Sequence, residues 1–151
     1  MPHLQPAQVI EQFASFLQDD VRAEIDDEFV DGQVGSMSST MRYLADQLRQ
    51  QRELTRRQRD SLLEALEAVE RDCESTAVTE AAADARERVE DASGSDGDEL
   101  EPVLVSACND VLDEINAELD GAAARAARDP LYDFLRVRVE GQLEMLGRDS
   151  A

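Results

Sequence analysis

Six arginines, Arg42, Arg49, Arg52, Arg56, Arg57 and Arg59, crowd into one short stretch in which Asp46 and Glu53 are the opposing acids. A guanidinium presents a planar fork of donors that suits carboxylate and phosphate. The stretch is therefore a candidate anion- or partner-binding patch. It could meet an acidic protein surface, a nucleotide or acyl-carrier phosphate, or nucleic acid. The competing account is intramolecular, with these arginines pairing with acids of neighbouring helices or lying on a solvated face, and it carries the greater weight.

Other chemistry finds few parts. A structural zinc site needs four Cys or His ligands, and the chain offers His3, Cys73 and Cys108. The Glu-x-x-His pairs of a di-iron bundle do not occur. A calcium loop begun at Asp91 would place Asp96 where glycine is needed and Pro102 where glutamate is needed. Hydroxyl nucleophiles need an adjacent base, and His3 near the terminus is a poor one. Paired acids such as Asp19/Asp20 and Asp26/Asp27/Glu28 are expected by chance where acids are this common, and only burial would tune them for catalysis. No glycine-rich phosphate loop is present. No catalytic residue, metal or cofactor is expected.

The chain has 151 residues, 35 of them acidic, against 15 arginines and no lysine, for a formal charge of −20. Such charge keeps a protein soluble in concentrated salt and strains the compact state by self-repulsion where salt is scarce. A lysine-free acidic composition of this kind resembles the proteins of organisms with molar salt in their cytoplasm, the haloarchaea above all. Leu, Ile, Val and Phe total 35 residues, enough for a thin core. Two widely spaced cysteines with no export signal predict reduced, buried thiols and a cytoplasmic location. No apolar run approaches the ~18 residues of a membrane span.

These residues must be positioned by helices, because the apolar periodicity is helical almost throughout. The first helix begins near Pro6 and shows Val9, Ile10, Phe13, Phe16, Leu17 and Val21 on one face. Asp26–Gly35 reads as a loop that tucks Phe29 and Val30 against the core. From Ser36, a second helix turns Met37, Met41, Leu44 and Leu48 inward. Thr55 to Gln58 fits a capping box, which favours a hairpin turning at Arg52–Leu54, although Met41, Leu48, Thr55, Leu62 and Val69 also recur every seven residues as in one long helix. The third helix carries Leu62, Leu63, Leu66 and Val69.

Thr79–Glu90, offering Ala81, Ala82, Ala85 and Val89, predicts a loosely held peripheral helix. Asp91–Glu101 reads as a flexible acidic linker within a single helical domain, 1–151. Pro102 opens a helix with Leu104, Cys108, Val111 and Ile115 inward. After Gly121 and an alanine-rich piece, Asp129–Pro130 caps a last helix bearing Leu131, Leu135, Val139 and Leu143. The expected fold is all-α, a small bundle of five to six helices.

The run Pro6–Val21, the Asp31–Gly32 loop, Leu44–Leu48, Leu62–Leu63 and Asp129–Leu135 resemble, in that order, a small uncharacterised helical family. In bacteria that family is encoded beside aminoglycoside-phosphotransferase-like kinases and acyl-CoA dehydrogenases. The His, Arg and Asn of the family's second helix have no counterparts between Gly35 and Tyr43, so no site residue carries over. The resemblance implies an accessory protein for a kinase or an acyl-CoA enzyme.

The sequence thus points to a non-catalytic accessory or interaction protein, adapted to high salt and acting on a protein partner or a second copy of itself. An acidic nucleic-acid mimic that occupies a basic groove is the first alternative, and a small enzyme using buried carboxylates the second. Direct binding of nucleic acid is disfavoured, because phosphate contacts require a basic surface.

Overall fold

A computed structural model describes residues 4–92 and 97–147, with the side chains of residues 97 and 98 left aside. The chain is all-α, with five helices and no strand among the described residues: α1 (Pro6–Phe16), α2 (Glu28–Asp72), α3 (Thr76–Ala92), α4 (Gly97–Glu118) and α5 (Gly121–Gly147). It forms two compact units, Met1–Arg52 and Glu53–Ala151.

The first unit is a helical hairpin. Pro6 opens α1, as its fixed φ and missing N–H favour, and the Gln8 side chain accepts a hydrogen bond from the Gln5 backbone N–H at 3.0 Å. A π-helical turn, Leu17–Val21, and a 3-10 turn, Arg22–Glu24, bring the chain around. Asp27 then caps α2, its Oδ1 accepting from the backbone N–H groups of Phe29 and Val30 at 2.9 and 3.0 Å. That cap corrects the expected loop over Asp26–Gly35. Asp27 offers an N-cap carboxylate that outweighs the helix cost of Gly32 and Gly35 inside the first turns. Gly35 has its own use, because a Cβ there would lie 3.0 Å from Nη1 of Arg22.

α1 and the first half of α2 run antiparallel. Arg22 contacts Asp31, the Ser38 hydroxyl donates to the Ala14 carbonyl at 2.9 Å, and Arg49 pairs with Glu11, so stepping back along α1 steps forward along α2. The buried residues at this seam are small: Ala7, Ala14, Ser38 and Ala45. Small side chains let two helices approach closely and leave the large ones outside.

The turn expected at Arg52–Leu54 does not exist, and α2 continues through it. Thr55 and Gln58 are not a cap. Both are buried inner-face positions of an unbroken helix, and Gln58 Oε1 accepts from Arg138 Nη1 at 3.3 Å. The seven-residue repeat, rather than the capping pattern, governs this stretch.

In residues 53–151 the end of α2 joins α3, α4 and α5 around one core. Leu62, Leu66 and Val69 meet Val78, Ala82, Ala85 and Val89, with Leu104, Val111, Ile115, Leu131 and Phe134 completing it. Their three- and four-residue intervals are those of bundle packing. α3 is therefore central rather than peripheral, its alanines permitting close contact with α4. The expected linker is also shorter than Asp91–Glu101. Asp91 and Ala92 end α3, whereas Glu99, the buried Leu100 and Glu101 belong to α4; the remainder, residues 93–96, lies outside the described residues.

Gly121, at φ 59°, takes the left-handed conformation that lets the chain leave α4 for α5. α5 runs through Asp129–Pro130 instead of starting there. Leu131 faces the core as expected and Leu135 packs half-buried against it, but Val139 and Leu143 are exposed. Cys108 is fully buried, and burial pushes its thiol up to about 11. Cys73, just beyond α2, is half-buried, and both thiols are free.

Candidate interaction surface

The six arginines share one helix. Arg49 pairs with Glu11 and, at 3.4 Å, with Asp46; Arg57 reaches Glu144 at 3.4 Å and Arg59 reaches Asp60 at 2.8 Å. Arg42, Arg52 and Arg56 are exposed and make no ion pair with the described residues. The unit boundary falls between Arg52 and Glu53, so Arg42, Arg49 and Arg52 belong to the hairpin and Arg56, Arg57 and Arg59 to the bundle.

Elsewhere, arginines tie neighbouring helices together. Arg86 meets Glu70 at 2.9 Å, Arg88 meets Asp110 at 2.7 Å and Arg138 meets Glu101 at 2.6 Å. Charged groups also line two grooves of the bundle. One, of about 600 Å³, has Arg138, Glu101 and Asp110 on its walls; another, of about 640 Å³, has Arg57, Glu144 and the buried Gly141. The second also has Asp60, Glu64 and Glu140 on its walls, so acids predominate there. Carboxylates with a displaced proton affinity move downward: hydrogen bonds from Arg22 hold Asp31 below the usual carboxylate range, and those from Arg71 do the same to Asp72. A general acid at neutral pH needs the opposite shift. Among the described residues, no three His, Cys, Asp or Glu side chains are grouped to hold a metal ion. No helix among them is long and apolar enough to cross a membrane.

The feature that does stand out is apolar, and sequence reasoning placed it inside. Met37 and Leu44 were expected to face inward, yet they are 55% and 47% exposed, and Leu48 is exposed while Met41 is half-buried. Phe13 and Phe16 on α1 are exposed as well, and Phe29, expected against the core, is 73% exposed. Helix geometry orders most of these groups. Val30, Val34, Met37, Met41, Leu44 and Leu48 recur at intervals of four and three, so they form one stripe along α2 beside the Ser38–Ala45 line that meets α1. Ile10, Phe13 and Leu17 lie on the same side of the antiparallel pair. The opposite side holds the ion pairs Arg22–Asp31 and Arg49–Glu11. The hairpin therefore has one apolar face and one ion-paired face.

The border of the apolar stripe on α2 is uncharged, formed by Gln33, Thr40 and Gln47. In a chain where 33% of residues are charged, a strip without charge this long is a departure from the background. Contiguous exposed apolar surface rimmed by polar groups marks an interaction site. The signal for it was present in the sequence as the four–three spacing from Val30 to Leu48. A second, smaller exposed set, Val139, Leu143 and Leu146, lies on one side of the end of α5.

No protein-family model, curated protein or solved structure matches the chain.

Proposed function

We propose that this is a non-catalytic interaction protein, working through the apolar face of the hairpin in residues 6–52. One observation carries this reading: Phe13, Met37, Leu44 and Leu48 lie exposed along one side of two helices whose mutual seam is made of alanine and serine. Large apolar groups arranged this way leave most of their hydrophobic free energy ungained. Burying one such side chain is worth about 1.5–3 kcal/mol, so a partner covering several gains enough to bind. Arg52, four residues beyond Leu48, would contribute a contact at the end of the strip.

The −20 charge is, in this reading, adaptation to concentrated salt. The accessory role implied by the resemblance of the N-terminal run would fit the same surface, with a kinase or an acyl-CoA enzyme as the partner class. An acidic nucleic-acid mimic would act through its carboxylates instead and would have no use for an apolar strip.

A photo-activated cross-linking residue in place of Leu44, in the full chain at molar KCl with host extract, tests this. Discrete protein adducts at position 44 are expected, with none at Ser39 on the exposed side away from the strip. Equal labelling at both positions would refute the assignment.

A further inference from the structure

The apolar strip of α2 is symmetric about its own middle. The intervals along Val30, Val34, Met37, Met41, Leu44 and Leu48 are four, three, four, three and four, a series that reads identically in both directions. Laid antiparallel against a copy of itself, the strip matches Val30 to Leu48, Val34 to Leu44 and Met37 to Met41. The centre of the series falls beside Ser38, and the Ser38 hydroxyl is bonded to the Ala14 carbonyl. Phe13 of α1 therefore stands level with the midpoint, where a two-fold axis would bring it against its own counterpart.

Charge is arranged to the same effect. Asp19, Asp20, Glu24, Asp26, Asp27, Glu28 and Asp31 crowd one end of the hairpin, and Arg49 and Arg52 lie at the other. Antiparallel pairing carries the Asp26 end of one copy alongside Arg52 of the next, while Arg49 stays with Glu11 on the far side. The strip between is bordered by Gln33, Thr40 and Gln47, so copies of a −20 chain would meet without like charges opposed at its edge. Electrostatic complementarity of this kind fixes register and orientation.

Size is sufficient too. Residues 30 to 48 span about 27 Å at 1.5 Å per residue, and two helices about 10 Å apart make a face roughly 20 Å wide. Some 500 Å² of footprint per copy comes to ~1,000 Å² in total, the lower bound for a specific interface.

We infer that the partner covering this face is a second copy of the chain, in a two-fold antiparallel dimer whose paired hairpins form a four-helix bundle, α2 against α2 and α1 against α1. This rests on the reading of the hairpin face as the interaction surface. Sedimentation of the purified full chain at about 2 M KCl, where exposed charges are screened, is expected to give twice the chain mass. Leu44→Glu, at a position already exposed within the chain, is expected to return it to one chain mass with its circular dichroism unchanged.

Orientation is tested by disulfide formation in a Cys73→Ser background. Mixing Val30→Cys and Leu48→Cys proteins is expected to give a cross-linked pair, and neither protein alone is expected to do so. A monomer of the unsubstituted chain overturns the inference, as does cross-linking of Val30→Cys with itself, which would indicate a parallel arrangement. A monomer whose position 44 still labels another protein in host extract would leave the interaction surface standing and remove only the second copy. Absence of both would remove the two together.

Discussion

Cys108 and Cys73 present two thiols in different surroundings, and the difference can be read in solution. Cys108 is enclosed by the core, where charge is disfavoured, and its pKa of about 11 has burial as its cause. That lies above the ordinary thiol value of 9.0, so the fold favours the protonated thiol. Stability is then full below about pH 9 and falls as pH rises toward 11, by about 2–3 kcal/mol for two units. Urea unfolding at pH 8 and at pH 11 is expected to show that loss, and Cys108→Ala to lessen it. A thiol reagent at pH 8 is expected to modify Cys73 promptly and Cys108 only on unfolding. Both thiols were expected to be buried, and that holds for Cys108 alone. Burial at Cys108 followed from Leu104, Val111 and Ile115 recurring around it. Cys73 is only half-buried because α2 ends one residue before it.

At the scale of the element, helices announce themselves by period, while their boundaries depend on competition between local signals. Pro6 and Gly121 were read correctly, because a proline at a first turn and a glycine with positive φ each have one economical use. Asp27 was missed because two glycines follow it, and Thr55–Gln58 was misread because a capping box and two buried polar helix positions look alike in one dimension. Pro130 is the third case. It lies well inside α5, where its ring removes the hydrogen bond that a residue there would donate to the carbonyl of Ala126.

Residues 121–128 and 131–147 form one helix despite that loss, since Ala124, Ala127, Leu131 and Phe134 are all buried against the same core. Tertiary packing outweighs the local cost. Pro130→Ala is accordingly expected to raise stability by about 1–3 kcal/mol, measured as a higher urea midpoint at unchanged slope. A lower midpoint would mean that the proline's shape, rather than its missing donor, is what α5 uses. The exposed side of the hairpin escaped the sequence for a related reason. Periodicity locates an apolar stripe but not what covers it, and here α1 meets α2 through Ala14, Ser38 and Ala45 instead of through the stripe.

For the molecule as a whole, charge is unevenly shared. Residues 1–52 hold nine acids against four arginines, and residues 53–151 hold twenty-six against eleven. The bundle has the larger core to set against its greater self-repulsion, and the hairpin has the smaller of both. Lowering KCl from about 3 M to 0.1 M lengthens the screening distance from below 3 Å to about 10 Å. Helix content followed by circular dichroism is expected to fall over that range and to be restored by returning the salt. Full helicity at 0.1 M KCl would detach the charge from salt adaptation and give the nucleic-acid mimic first claim on it.

The strip on α2 reads the same from either end, and that bears on valency. A surface complementary to some other site on the same molecule can be satisfied and still leave a free end, so copies add without limit. A surface complementary to itself is consumed on both sides by a single encounter, and growth through it stops at two. In a solution crowded with acidic chains, such a strip would convert stickiness, ordinarily a route to precipitation, into a closed and countable assembly.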